Sequence, residues 1–189
     1  MLFRSEGAGL GALAGRVAVT VALVATFIGV CKVKDDNIVQ AMQQAQADRL
    51  DHWNFYQARN IRQDVAAAEA TQLRLASAAA PAAQADAYKA AIDAADARAT
   101  EEKTKKDELR AQAEADQQTY DALNYRDDQF DLSDTLLALA ISMLAVTTLT
   151  GRRWMYWCAL VPTALGVLMG LAGLAGWHIH PDTIVQWLS

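Results

Sequence analysis

The sequence predicts an all-α membrane protein: three transmembrane helices plus a long antiparallel helical hairpin, coiled-coil-like, outside the membrane. Three observations predict it. Apolar stretches at Leu10–Cys31, Leu132–Thr150 and Trp154–Trp177 each approach the length that crosses a hydrocarbon core of roughly 30 Å. The segment between the first two is polar, acidic and rich in alanine. Apolar or small residues recur there at steps of three and four, and Pro81 is the single breaker from Asp35 to Asp131. The mean hydropathy of +0.03 averages these two unlike populations.

Residues 1–31 read as an N-terminal transmembrane anchor. Between Arg16 and Lys32 the run is short enough to suggest a signal peptide, and Cys31 hints at a lipoprotein box. Val30 is a poor residue before such a cysteine, so the segment reads as retained. Arg16 can snorkel to the headgroups, which lets the helix begin near Leu10.

Residues 32–131 form the insert, with 13 Lys+Arg against 19 Asp+Glu. In its first arm the stripe runs through Val39, Met42, Leu50, Trp53, Ile61, Val65 and Ala68, with Gln46 and Gln57 filling the gaps. The second arm repeats the spacing through Tyr88, Ile92, Ala95, Ala99, Leu109, Ala113, Tyr120 and Leu123. The simplest arrangement is an antiparallel pair turning near Pro81, with residue i facing residue 162 − i. Residues 66–99 hold 18 alanines, which favour helix but bury little area. Glu101–Lys105 and Glu102–Lys106 read as favourable i,i+4 pairs on a solvated face.

Residues 132–177 give two spans joined by Gly151-Arg152-Arg153, and residues 178–189 an interfacial tail. Two arginines in so short a link, with Arg4 and Arg16, predict a cytoplasmic N-terminus. The insert and the C-terminus then lie on the opposite side. Trp154, Tyr156, Trp157 and Trp177 are expected at the membrane interfaces. Small residues form helix-packing faces, with Gly11 and Gly15 in the first span and Gly166, Gly170 and Gly173 in the third. Such faces serve either packing of the three helices on one another or a homo-oligomer.

A resemblance rests on Asp51-His-Trp53-Asn-Phe-Tyr56-Gln57-Ala58-Arg59-Asn-Ile61-Arg62. It resembles the W-x-x-Y-Q-A-[KR]-x-I-[KR] stretch of an uncharacterised bacterial inner-membrane family, domain of unknown function 4337. The layout of one anchor, a helical insert and two linked spans is similar too, although the N-terminus here is shorter. The resemblance implies the three-span layout in a bacterial inner membrane and no particular activity; with the arginines cytoplasmic, the insert and the C-terminus are then periplasmic. From the residues alone, Trp53, Tyr56, Arg59 and Arg62 read as a packing cluster at the root of the hairpin or as a docking surface for a membrane or periplasmic protein.

The chemistry-bearing residues are sparse. His178, His180 and Asp182 lie far along the chain from His52, and Cys31 and Cys158 have no metal spacing. No nucleophile has a base beside it in sequence, and no glycine-rich loop could cradle phosphate. No catalytic residue, cofactor or metal is expected. The acidic insert argues against nucleic acid. The expected role is a non-catalytic membrane scaffold or accessory subunit with a periplasmic stalk, in contact with the lipid bilayer and self-associating. The alternatives are a pore or transport component, or an envelope adaptor docking a partner with the hairpin tip.

Overall fold

The computed structural model describes the backbone of residues 2–177 and the side chains from residue 11. The tail features expected at His178, His180 and Asp182 lie outside the described residues. Three α-helices account for nearly all of the described chain: α1 (Leu2–Ala78), α2 (Ala85–Thr150) and α3 (Arg153–Ala175). No strand occurs among the described residues. Each helix contains a stretch long and apolar enough to cross a membrane.

Two links interrupt the helices, one at a proline amid alanines and one at a glycine. Pro81, at φ −59° and ψ 145°, cannot continue α1, and a short 3-10 turn at Ala82–Gln84 leads into α2. Gly151, at φ 66°, closes α2 in the left-handed region, where its N–H bonds to the Thr147 carbonyl. At the far end of α3, Gly176 takes φ 69° and Trp177 N–H reaches back to Ala172 O.

The chain divides into two compact units. One comprises Met1–Met42 and Asp121–Ser189, the other Gln43–Tyr120. The first therefore takes in residues 32–42 and 121–131, beyond the ends of the apolar spans. Its core draws on a seven-residue repeat in α1, at Val17, Val24, Cys31 and Ile38. Phe130, Leu137, Ala140 and Leu144 supply the α2 face, all almost fully buried. On α3 the buried face is mostly small, with Ala159, Gly166, Gly170, Ala172 and Gly173 beside Pro162 and Met169.

Several polar side chains of this unit donate to backbone carbonyls. Ser133 Oγ donates to Gly166 O at 2.8 Å, and Thr147 Oγ1 to Met143 O at 2.8 Å. Arg126 donates to Gly173 O from Nε and Nη2, at 3.3 and 2.9 Å. Gln129 Nε2 donates to Trp177 O at 2.8 Å. These two side chains satisfy the carbonyls of Gly173, in the last turn of α3, and of Trp177, just beyond it.

Within Gln43–Tyr120 the arms of α1 and α2 pair antiparallel: partner numbers fall along α2 as they rise along α1. His52 meets Asp116, Arg59 meets Glu102, Glu69 meets Arg98 and Arg74 meets Asp96. Equal arms would have brought residue 110 to His52, so the register is offset from 162 − i. Residues 79–84 are spent in the link, and the long charged side chains reach along the facing arm.

Candidate interaction surfaces

The seam of this unit is made of alanine and ion pairs. Ala45, Ala66 and Ala70 of α1 and Ala95 and Ala113 of α2 are buried. In α1 the seam runs Ala45, His52, Tyr56, Arg59, Gln63, Ala66, Ala70, at steps of three, four or seven. In α2 it runs through Tyr88, Ile92, Ala95, Ala99, Leu109, Ala113 and Tyr120, as the spacing predicts, with Glu102, Lys106 and Asp116 in the gaps. Of the α1 stripe expected from the sequence, Met42 is buried and Val39 and Trp53 are half-buried, but Leu50, Ile61, Val65 and Ala68 face away from the seam. Leu50, Ile61 and Val65 are 62%, 63% and 62% exposed, and Leu75 on the same face is 71% exposed. The large apolar residues set that expected phase, whereas the arms meet through alanines, which let the backbones approach closely.

The four candidate docking residues separate accordingly. Trp53 and Tyr56 pack edge to face, with ring centroids 5.2 Å apart at 77°. Lys106 Nζ lies 5.8 Å above the Tyr56 ring and donates to Asn60 Oδ1 at 3.0 Å. Arg59 Nη1 reaches both carboxylate oxygens of Glu102 at 3.0 Å. Glu102 is thus taken by Arg59 rather than by Lys106, while Glu101 does pair with Lys105, which holds its carboxyl below the ordinary range. Arg62 is exposed, with no ion pair among the described residues. Beside this cluster a groove of about 460 Å³ is lined by Gln43, Gln46, Ala47, Arg49, Leu50 and Trp53.

The glycine faces separate too. A Cβ on Gly166 would stand 2.7 Å from Leu137 Cγ. On Gly170 it would meet the Phe27 ring at 2.7 Å and Ser133 Oγ at 2.8 Å, and on Gly173 the Phe130 ring at 2.9 Å. The third-span glycines therefore seat side chains of their own chain. Gly11, Gly15 and Gly29 have nothing within 4 Å of a built Cβ.

One carboxyl cluster escaped the sequence reading. Asp35 is buried; its Oδ2 accepts from Lys32 Nζ at 2.7 Å, while its Oδ1 has no hydrogen-bond donor. The Asp127 carboxyl stands within hydrogen-bonding reach of Asp35. Burial, that hydrogen bond and the charges of Asp131, Asp35 and Asp128 push Asp127 up to about 6. Asp131 is raised as well, by burial and then by Asp35. The sequence signal was Asp35-Asp36 facing Asp127-Asp128, which only the pairing of α1 with α2 brings together. No group of three or more His, Cys, Asp or Glu among the described residues could hold a metal ion. His52 Nδ1 is 2.6 Å from Asp116 Oδ2, a cross-arm pair rather than a ligand set.

The chain belongs to the family described as Domain of unknown function (DUF4337), whose model matches residues 13–176. No curated protein and no solved structure matches it.

Proposed function

We propose that this member of the family is a non-catalytic membrane scaffold or accessory subunit of the bacterial inner membrane. Its residues 43–120 serve as a periplasmic helical hairpin whose exposed apolar stripe pairs with a second copy of the chain. One observation carries this reading: Leu50, Ile61, Val65 and Leu75 lie on one exposed face of α1, each about two-thirds exposed. The face extends about 38 Å at 1.5 Å per residue. Complete burial of such a side chain is worth roughly 1.5–3 kcal/mol, so covering the four gains about 4–8 kcal/mol per copy before association costs.

A second copy suits this face. The positions between the four residues are Asn54, Gln57, Ala68 and Gln72, all uncharged. Asp64, the charge at the edge, already accepts from Asn60. Two such faces therefore meet through uncharged positions, with Asp64 as the charge left at the solvated edge. A strip 38 Å long and about 10 Å wide gives roughly 400 Å² per copy, half of a standard interface. Confinement of both copies to one bilayer supplies the rest through effective concentration. Against a pore, the polar side chains that the spans bury, Ser133 and Thr147, donate to backbone carbonyls instead of lining a path.

The test is the mass of the full chain in mild detergent, for wild type and for Ile61→Asp/Val65→Asp. The expected result is a wild-type oligomer that the double variant loses while keeping its helical circular dichroism. A monomeric wild type, an unchanged assembly in the variant, or a different protein bound in stoichiometric amount refutes the second copy.

A further inference from the structure

The strongest unexplained feature lies in the unit built from residues 2–42 and 121–177, where α1 and α3 share a cleft. It has a volume of about 100 Å³ and is lined by Ala12, Leu13 and Arg16 of α1 and by Arg153, Tyr156 and Trp157 of α3. Neither Arg16 nor Arg153 makes an ion pair among the described residues. Two guanidinium groups on one small cleft repel each other until an anion sits between them. From this geometry we infer that Arg16 and Arg153 form a binding site for the phosphate of an anionic phospholipid headgroup.

The cleft walls are fixed by the fold. Thr20 Oγ1 donates to Arg16 O at 2.9 Å, which spends its one proton. The Tyr156 hydroxyl, 3.1 Å from Thr20 Oγ1, is therefore the donor in their contact and ties α3 to α1 beside the arginines. Trp157 packs edge-on against Tyr156, with centroids 5.9 Å apart, and remains 65% exposed. The first turn of α3 adds to the positive character. Its N-cap is Arg152, whose carbonyl accepts from Met155 N–H at 3.2 Å but whose side chain makes no cap, so the Arg153 and Trp154 N–H groups receive no side-chain acceptor from it.

Depth selects the ligand. Arg16 lies six residues into the apolar run that starts at Leu10, about 9 Å along the helix. Its guanidinium thus sits near the boundary of acyl chains and headgroups, the level favoured by Trp and Tyr. The anions held at that level are lipid phosphates, and a guanidinium fork matches phosphate oxygens two at a time. Basic pockets between spans hold anionic headgroups in this way. The net charge of the pair favours a headgroup with net negative charge over a zwitterionic one carrying the same phosphate. This inference is independent of the proposed pairing of the hairpin.

The test is native mass spectrometry of the full chain in detergent, titrated with phosphatidylglycerol, phosphatidylcholine or inorganic phosphate. Phosphatidylglycerol is expected to leave a retained adduct at least tenfold tighter than phosphatidylcholine. Arg16→Gln/Arg153→Gln should lose that adduct, and Arg16→Lys/Arg153→Lys should keep part of it, since charge remains without the fork. The lysine variant also guards against misfolding as the cause of loss. Competition by millimolar inorganic phosphate would make this a free-anion site and overturn the lipid assignment. Equal retention of phosphatidylglycerol in wild type and the glutamine variant would overturn the site.

Discussion

The same change, glycine to alanine, should have opposite signs at two positions of the unit that holds the three apolar stretches. At Gly170 the new methyl carbon would lie 2.7 and 2.8 Å from two carbons of the Phe27 ring and 2.8 Å from Ser133 Oγ. Such separations are far inside van der Waals contact, so something must move. The Phe27 ring is held between helices, and the Ser133 hydroxyl is engaged with Gly166 O. Overpacking of this kind costs about 1–3 kcal/mol, and dislodging the Ser133 hydrogen bond adds about 1 kcal/mol. Gly170→Ala should therefore destabilise the unit by roughly 2–4 kcal/mol. At Gly15 the methyl meets nothing within 4 Å. There only the better helix propensity of alanine acts, a gain of at most about 1 kcal/mol. Denaturant titration of the full chain in one detergent, read by near-ultraviolet circular dichroism, measures both. Equal effects, or a stable Gly170→Ala, would refute the assignment of the third-span glycines to packing within the chain. A loss of assembly with unchanged protomer stability would return Gly170 to an interface between copies.

Three further outcomes are expected. Arg59→Ala should cost about 1–3 kcal/mol, because it strands the half-buried Glu102 carboxylate, whereas Arg62→Ala should stay within about 0.5 kcal/mol; thermal unfolding of the two variants compares them. Asp127, raised from 3.8 to about 6, contributes stability that is full below pH about 4 and lost as pH rises through about 6. After allowance for solvent screening of this half-buried carboxyl, the loss is on the order of 1 kcal/mol, and Asp127→Asn, which keeps a donor toward Asp35, should flatten the slope of stability against pH. For the proposed periplasmic hairpin, cysteine at exposed Ala79 in a Cys158→Ser background should react with an impermeant maleimide in intact cells; labelling only after lysis would reverse the orientation.

Much of the fold was legible because its signals are local. Pro81 stops a helix by its own ring, Gly151 turns α2 by taking φ 66°, and three apolar runs announce themselves by length. The α2 seam was legible too, since its alanines and aromatics keep the 3/4 spacing. The α1 seam was not. Its repeat is carried by Ala45, Ala66 and Ala70, too small to stand out, and by the polar His52, Arg59 and Gln63, while Leu50, Ile61 and Val65 draw the eye to the opposite face. A signal was present in the charges. Arg59 and His52 in one arm have Glu102 and Asp116 at matching seam positions of the other, but this complementarity has meaning only once an approximate register is known. The glycine face of α3 was equally readable as a place of close approach. That Phe27, Phe130 and Leu137 fill it depends on the order in which three helices pack, which no single helix encodes.

The seam and the stripe of α1 complement each other energetically. Alanine buries little area, so a seam of Ala45, Ala66, Ala70, Ala95 and Ala113 holds two long arms together weakly. Cross-arm pairs such as Arg74–Asp96 and Arg98–Glu69 are about half exposed and add at most about 1 kcal/mol each. The same unit leaves four large aliphatic side chains in water, where covering them is worth more than any one of those pairs. On the proposed pairing, the contact that covers the stripe also holds α1 helical over the stretch that its own seam secures least. Association then stabilises residues 43–120 by mass action, and their unfolding should depend on protein concentration while that of the span unit does not. An unpaired hairpin has no such dependence, so concentration separates a stalk that assembles from one that stands alone.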